Sequence, residues 1–257
     1  MPSRCNYLIV LAYDGTDFAG WQRLPGAART AQEEAERAVA RALGPAALSG
    51  GPPFELVGAG RTDRGVHAEG QAASFHARSE LDPAAIAKAL NSELPPDMAC
   101  KGCREVDPRF HARFRAKSKR YRYRLQVGPV PDPFARRYSL HVSGPLDLEA
   151  MRDACGELRG ERDFAAVSNA KDGDTVRRLD SASVEERGEG PGSFVDLVFE
   201  GPGFLYNQVR IMSSALLAAG EGRLSRSSLQ AIISSRDRSK APGALGPFGL
   251  TLVEVRY

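Results

Sequence analysis

The chain is poor in the residues that build metal and redox centres. It carries four cysteines, four histidines and one tryptophan in 257 residues. Cys100-Lys101-Gly102-Cys103 is a lone C-x-x-C, with no second closely spaced pair among Cys5 and Cys155. A structural zinc centre takes four ligands, and a redox dithiol belongs at a helix start in a βαβ setting. This pair instead falls where a strand leaves for a loop, so it reads as chance spacing. His67, His76, His111 and His141 are scattered and receive no metal or catalytic role, and the expectation is no metal and no cofactor. Long apolar runs are also missing: nothing approaches the roughly 18 consecutive residues of a bilayer-spanning helix, so no membrane partner is expected. The first residues, MPSRCNYLIV, run almost directly into a strand, without the layout of a signal peptide or a transit segment. Reduced thiols point to a cytoplasmic protein, an organelle requiring that a transit segment had been removed.

What is present is an ordinary globular composition, 42% hydrophobic and 26% charged, enough for a real core in one large domain or two small ones. Lys and Arg total 35 against 32 Asp and Glu, a net charge of only +3. The balance is uneven. Arg109, Arg113, Arg115, Lys117, Lys119, Arg120, Arg122 and Arg124 fall in one short stretch that contains no acid. A concentrated basic strip suits a polyanionic backbone, through phosphate neutralisation and counterion release.

The most informative stretch is Gly58-Ala59-Gly60-Arg61-Thr62-Asp63-Arg64-Gly65-Val66-His67-Ala68. It lies between two expected strands, Phe54–Val57 and Gln71–Phe75. Its glycines permit a tight loop that a ligand can approach closely. The one carboxylate, Asp63, stands between Arg61 and Arg64, and neighbouring guanidiniums favour its ionised form. That suits a nucleophile better than a general acid. The string is not a dinucleotide fingerprint, because Asp63 occupies the third glycine position and an extended segment follows. It also lacks the Gly-Lys-Ser/Thr ending of a P-loop.

In chain order, Tyr7–Tyr13 reads as a strand that turns at Asp14-Gly15. Thr30-Ala31-Gln32-Glu33 is a capping box opening a helix, which Gly44-Pro45 stops. Asp82-Pro83 starts a second helix, ended by Leu94-Pro95-Pro96, and a strand follows from Met98 to Val106. Lys119–Val127 alternates, with Tyr121, Tyr123, Leu125 and Val127 on one face. A helix starts near Asp147; strands follow at Val176–Glu186 and Ser193–Phe199, joined by a turn at Gly188–Gly192. A strongly apolar helix spans Phe204–Ala219, a shorter one Ser228–Ser235, and Gly249–Tyr257 is a last strand. The order β-α-β-β-α-β thus occurs twice, which is the ferredoxin-like order. The expected fold is α+β: two ferredoxin-like halves, 1–112 and 113–257, sharing one long, mostly antiparallel sheet. Sheets of this kind are common platforms for single-stranded RNA.

The Asp63 stretch, extended through Gly70 and Gln71, closely resembles the GRTDxGVHAxGQ loop of the TruA family of tRNA pseudouridine synthases. Further resemblances follow in the family's order. Tyr13–Gln22 resembles YDGTxFxGWQ, Phe110–Ala116 resembles FHARFxA, and Lys119–Tyr123 resembles KxYxY. Gly203–Arg210 resembles GFLYxxVR, and Leu90–Pro95 and Ala241-Pro242 … Gly249-Leu250 also fit. The resemblance implies the pseudouridine synthase fold and a cofactor-free isomerisation of uridine in the tRNA anticodon stem-loop, at tRNA positions 38–40. It implies a homodimer whose subunits share one tRNA. It makes Asp63 the essential carboxylate, acting on the sugar, on the base or on a sugar proton, with Arg210 as its ion-pair partner. Tyr121 would stack on the flipped uracil near Phe204 and Leu250, Arg61 would take the vacated position or a phosphate, and Arg113, Arg115 and Lys119 would grip the backbone. Arg64, Gln208 and Ile211 depart from the family's usual residues, and Gly243–Phe248 looks longer than its usual join. A catalytically silent tRNA-binding module is the alternative. A glycoside- or nucleoside-cleaving hydrolase is less suitable, since that chemistry generally wants a second carboxylate.

Overall fold

A computed structural model of the chain describes residues 3–26, 28–49, 54–171, 173–188 and 192–257. The protein is a mixed α+β fold with a large, mostly antiparallel sheet and helices. Met1–Lys117 and Leu252–Tyr257 form one compact unit, and Ser118–Thr251 forms another.

The first unit contains β1 (Arg4–Tyr13), α1 (Ala31–Leu43), the short α2 (Pro45–Leu48), β2 (Val57–Gly58), β3 (His67–Arg78), α3 (Pro83–Glu93) and β4 (Met98–Val106). β1 is central and antiparallel to both neighbours, with Tyr7 opposite Phe75 of β3 and Glu105 of β4. The chain's last residues join this unit beside β3, where Gly70 leaves room that a Cβ would take from the Val253 carbonyl at 2.5 Å. Thr30 caps α1 by accepting from the Glu33 N–H, and Asp82 caps α3 by accepting from Ala85. These side chains satisfy amides that the first helical turn leaves without a backbone partner. Ala35 and Val39 of α1 and Ile86 and Leu90 of α3 are buried.

The second unit contains β5 (Ser118–Val127), β6 (Leu140–Val142), α4 (Leu148–Leu158), β7 (Gly160–Asp163), β8 (Val176–Leu179), β9 (Ser181–Arg187), β10 (Ser193–Gly201), α5 (Gln208–Gly220), α6 (Arg226–Ser235) and the start of β11 (Leu250–Arg256). β10 lies between β5 and β9, antiparallel to both, with Phe199 opposite Tyr121 and Ala182. β6 adds to β5 in parallel, and β7 and β8 pair as a separate ribbon. Leu125, Leu197 and Phe199 of the sheet and Ile211, Met212, Ala215 and Leu216 of α5 are fully buried.

Several elements differ from the sequence expectation, each for a local reason. Phe54–Val57 is not a strand; pairing begins only at Val57. Side chains of α1 take the place of a strand neighbour there, Glu36 accepting from Leu56 N–H at 3.1 Å and Gln32 donating to Leu56 O at 3.2 Å. β3 starts at His67, inside the loop motif, rather than at Gln71. Val176–Glu186 breaks at Asp180 into two strands of different sheets, its amide donating to Glu200 O. The helix expected from Phe204 starts at Gln208, because Asn207 adopts left-handed backbone angles at φ 59°. β6, β7 and α2 carry too short a pattern to be anticipated. The expected Gly188–Gly192 turn lies largely outside the described residues.

Candidate active site

Asp63 is positioned through its backbone. Trp21 N–H donates to Thr62 O at 3.0 Å, and Gly65 N–H donates to Phe18 O at 3.2 Å, so the residues on both sides of Asp63 are tied to the Tyr13–Gln22 segment. Val66 N–H donates back to Asp63 O at 3.1 Å, closing a turn around the carboxylate residue. At the entry, Ala59 N–H donates to Ala72 O at 2.8 Å and the Gln71 amide donates to Gly60 O at 2.9 Å. Tyr13 and Thr62 share a buried hydroxyl–hydroxyl bond of 2.8 Å. Burial pushes the Tyr13 phenol far above its usual range, so it stays protonated as that partner.

The glycines of Tyr13–Gln22 are explained by this cradle. Gly20 has φ +113°, and a Cβ there would stand 2.8 Å from Thr62 O. Gly15 lies so close to the Val66 carbonyl that a Cβ would overlap it. At Gly58, on the entry to the Asp63 loop, a Cβ would stand 2.5 Å from the buried Trp21 ring. The cradle is itself fastened to α1 by Gln32 N–H to Trp21 O (2.9 Å) and Ala31 N–H to Gly20 O (3.1 Å). Arg29 lies 4.3 Å over the Phe18 ring and grips Asp97 with two bonds of 2.6 and 2.9 Å. Thr62 and Gly65–Ala68 are therefore buried while Asp63 is half-buried and Arg61 and Arg64 are exposed. A carboxylate presented from a fixed main chain can act as a nucleophile or base without reorganising during reaction.

The second unit presents Tyr121, Phe204, Arg210 and Leu250. Tyr121 of β5 is 7% exposed, and its ring meets Phe204 edge-to-face at 5.1 Å. Two residues on, Tyr123 is fully buried and its hydroxyl donates to Gly246 O at 2.9 Å. Burial raises the Tyr123 phenol above its ordinary value, with the positive Arg210 pulling in the opposite direction. Arg210, in the first turn of α5, donates from Nε to Leu245 O at 2.7 Å and from Nη1 to Asn207 Oδ1 at 2.9 Å. Gln208 closes the preceding turn by accepting from Leu205 N–H at 2.8 Å. Leu250 is buried at the start of β11. The second unit thus brings Tyr121 to Phe204, and Arg210 to Asn207 and Leu245.

Sequence reasoning missed Asn207, Leu245 and Gly246. The signal for Asn207 was its tolerance of left-handed backbone; the two carbonyls carry no side-chain signal at all. They belong to the Gly243–Phe248 join, whose length was the visible oddity. The basic strip also divides. Arg109, Arg113, Arg115 and Lys117 are exposed in the first unit. On β5, Arg124 makes two bonds of 2.7 and 2.8 Å to buried Asp196, and Arg120 lies 3.4 Å from Glu200. Lys119 is half-buried. Cys100 and Cys103 lie within β4 as free thiols, burial pushing Cys103 up to about 12.

Residues 9–115 and 154–257 match the family described as tRNA pseudouridine synthase. Relatives are similar over almost the whole length. The chain is 43% identical to tRNA pseudouridine synthase A of Limosilactobacillus fermentum, over 98% of this chain and 96% of that protein. It is 42% identical to the protein of that name from Moorella thermoacetica, over 97% and 98% of the two chains. With the one from Brevibacillus brevis it shares 40%, over 96% and 98%.

Proposed function

Because this chain belongs to the tRNA pseudouridine synthase family, we propose that it isomerises uridine to pseudouridine in the anticodon stem-loop of tRNA, at tRNA positions 38–40. The observation that carries the reading is the backbone-clamped Asp63, with bonds on both sides of it to the Tyr13–Gln22 segment. The reaction breaks the bond from ribose C1′ to uracil N1 and forms one from C1′ to C5. N1 gains a proton and C5 loses one, so atoms and electrons balance without an oxidant, a reductant or water. A fixed anionic side chain is the main chemical requirement.

Asp63 is the nucleophile in this reading and Arg210 its electrostatic partner. Arg210 suits the part because two of its nitrogens are already committed to Leu245 O and Asn207 Oδ1, which orients the guanidinium. Tyr121, backed by Phe204, stacks on the extruded uracil, and Leu250 completes the apolar surround. Stacking a splayed base on an aromatic ring contributes about 1–3 kcal/mol, offsetting part of the unstacking cost. Arg61 occupies the position the base leaves, or holds a phosphate, and Arg113, Arg115 and Lys119 hold the backbone. The working form is a homodimer.

The test uses tRNA carrying tritium at uracil C5. The wild-type protein releases the label as the C5 proton departs. Asp63→Asn abolishes release and leaves tRNA binding within a few fold. A wild-type protein that binds tRNA yet releases no tritium would be a silent binding module, and the proposal would fall.

A further inference from the structure

Phe114 is 77% exposed, an unusual position for a large aromatic, and it stands between Arg113 and Arg115. Its ring is nevertheless ordered by its surroundings. It stacks on the His111 imidazole at 4.2 Å and an interplanar angle of 26°. The imidazole is held in turn: His111 Nδ1 accepts from the backbone N–H of Arg113 at 3.2 Å and of Phe114 at 3.3 Å. Arg115 N–H donates to His111 O at 3.0 Å, closing the turn.

The turn is anchored from beneath. Ala112 is fully buried in a cluster with Leu8, Ala59 and Ala72. Its N–H donates to Ser74 Oγ at 3.2 Å and its carbonyl accepts from the Tyr257 hydroxyl at 2.9 Å. Phe110, two residues earlier, packs on the Tyr257 ring at 4.9 Å. Ala59 is the residue that leads into the Asp63 loop, so one packing cluster fixes both the loop's entry and the turn that displays Phe114. Phe110 and Ala112 pack into the unit's core, while the three residues that follow, Arg113, Phe114 and Arg115, are displayed.

We propose that the Phe114 ring, backed by His111, is a stacking plate for a nucleobase of the bound tRNA other than the reacting uridine. The inference rests on tRNA being the substrate. Four exposed cations lie within five residues of Phe114 in the chain, Arg109, Arg113, Arg115 and Lys117, against the exposed acid Asp107 beyond them. Phosphates are attracted by such a segment, and an exposed, pre-oriented aromatic within it supplies the sequence-tolerant stacking that single-stranded nucleic acid uses. A second protein surface fits less well, because docking on this segment would have to neutralise or desolvate its four exposed cations.

The experiment measures tRNA affinity against salt concentration for the wild type, Phe114→Ala, Phe114→Trp and Arg113→Ala, with oligomeric state followed by sedimentation. Phe114→Ala is expected to weaken binding about 5- to 150-fold while leaving the salt slope unchanged, because stacking releases no counterions. Phe114→Trp restores affinity, and Arg113→Ala lowers the slope by about 0.7–0.9. Unchanged affinity in Phe114→Ala overturns the plate. So does a loss of affinity that tracks dissociation of an oligomer, which would assign Phe114 to contact with a second copy. If the wild type binds tRNA through Phe114 but frees no tritium, the plate stands and the synthase reading fails.

Discussion

In the first unit a carboxylate is positioned through its main chain; in the second a guanidinium is positioned through its own nitrogens. Asp63 has a short side chain, so tying down Thr62 O, Asp63 O and Gly65 N nearly fixes its head group. Arg210 has a long one, carrying about 2 kcal/mol of rotamer entropy, and a fixed helix would leave its head group free to wander. Leu245 O and Asn207 Oδ1 supply the missing restraint. The two devices make different demands on backbone angles. The Asp63 cradle uses glycine at φ +113°, whereas the Arg210 turn keeps an asparagine at φ 59°, because the side chain there is also the acceptor.

Substitutions separate the two devices. The largest effect after loss of Asp63 itself is expected at Gly20. Alanine there must adopt a disfavoured φ with its Cβ 2.8 Å from Thr62 O, which costs about 1–3 kcal/mol of strain. A shift of the loop by about 1 Å lowers the single-turnover rate by about 100-fold. Thermal unfolding and tritium release measure both, and an unimpaired rate would show that the cradle does not set the position of Asp63. A smaller effect is expected at Asn207, where two variants part company. Asn207→Ala loses the Arg210 acceptor and retains a left-handed backbone that costs about 1–2 kcal/mol. Asn207→Gly relieves the backbone but not the guanidinium, so stability recovers while the rate stays depressed. Equal recovery of both would mean that Arg210 needs no side-chain acceptor.

The smallest changes test the divided basic strip. Arg124→Ala strips buried Asp196 of its two-bond partner and is expected to cost about 1–3 kcal/mol of stability, with little change in the salt dependence of tRNA binding. Arg115→Ala is expected to do the reverse: stability within about 0.5 kcal/mol and a salt slope lower by about 0.7–0.9. Denaturant titration and salt-dependent binding, run on both variants, would contradict the division if Arg124 carried the salt slope.

Helix starts were legible because caps are local. Thr30, Asp82 and Asp147 each accept from an amide three residues on, at Glu33, Ala85 and Ala150. β4 runs from Met98 to Val106 as its sequence suggests. The apolar run after Phe204 looked helical throughout, yet Asn207 interrupts it, since hydrophobic pattern reports burial rather than backbone sign. Phe54–Leu56 looked like a strand because its residues suit one, but a strand also needs a neighbour, and α1 side chains occupy that edge.

Local order in the chain was therefore enough to reveal the Asp63 loop, the caps, the alternation of β5 and the family to which the protein belongs, because each rests on residues a few positions apart. Other facts emerge only when distant segments meet. The last residues, Leu252–Tyr257, join the first unit; the Leu245 carbonyl orients Arg210 across 35 positions; and Asp196 withdraws Arg124 from the basic strip across 72 positions. Main-chain carbonyls are the same in every residue, and a charge carries no mark of its eventual partner. Such pairings come into being with the packing that brings the segments together.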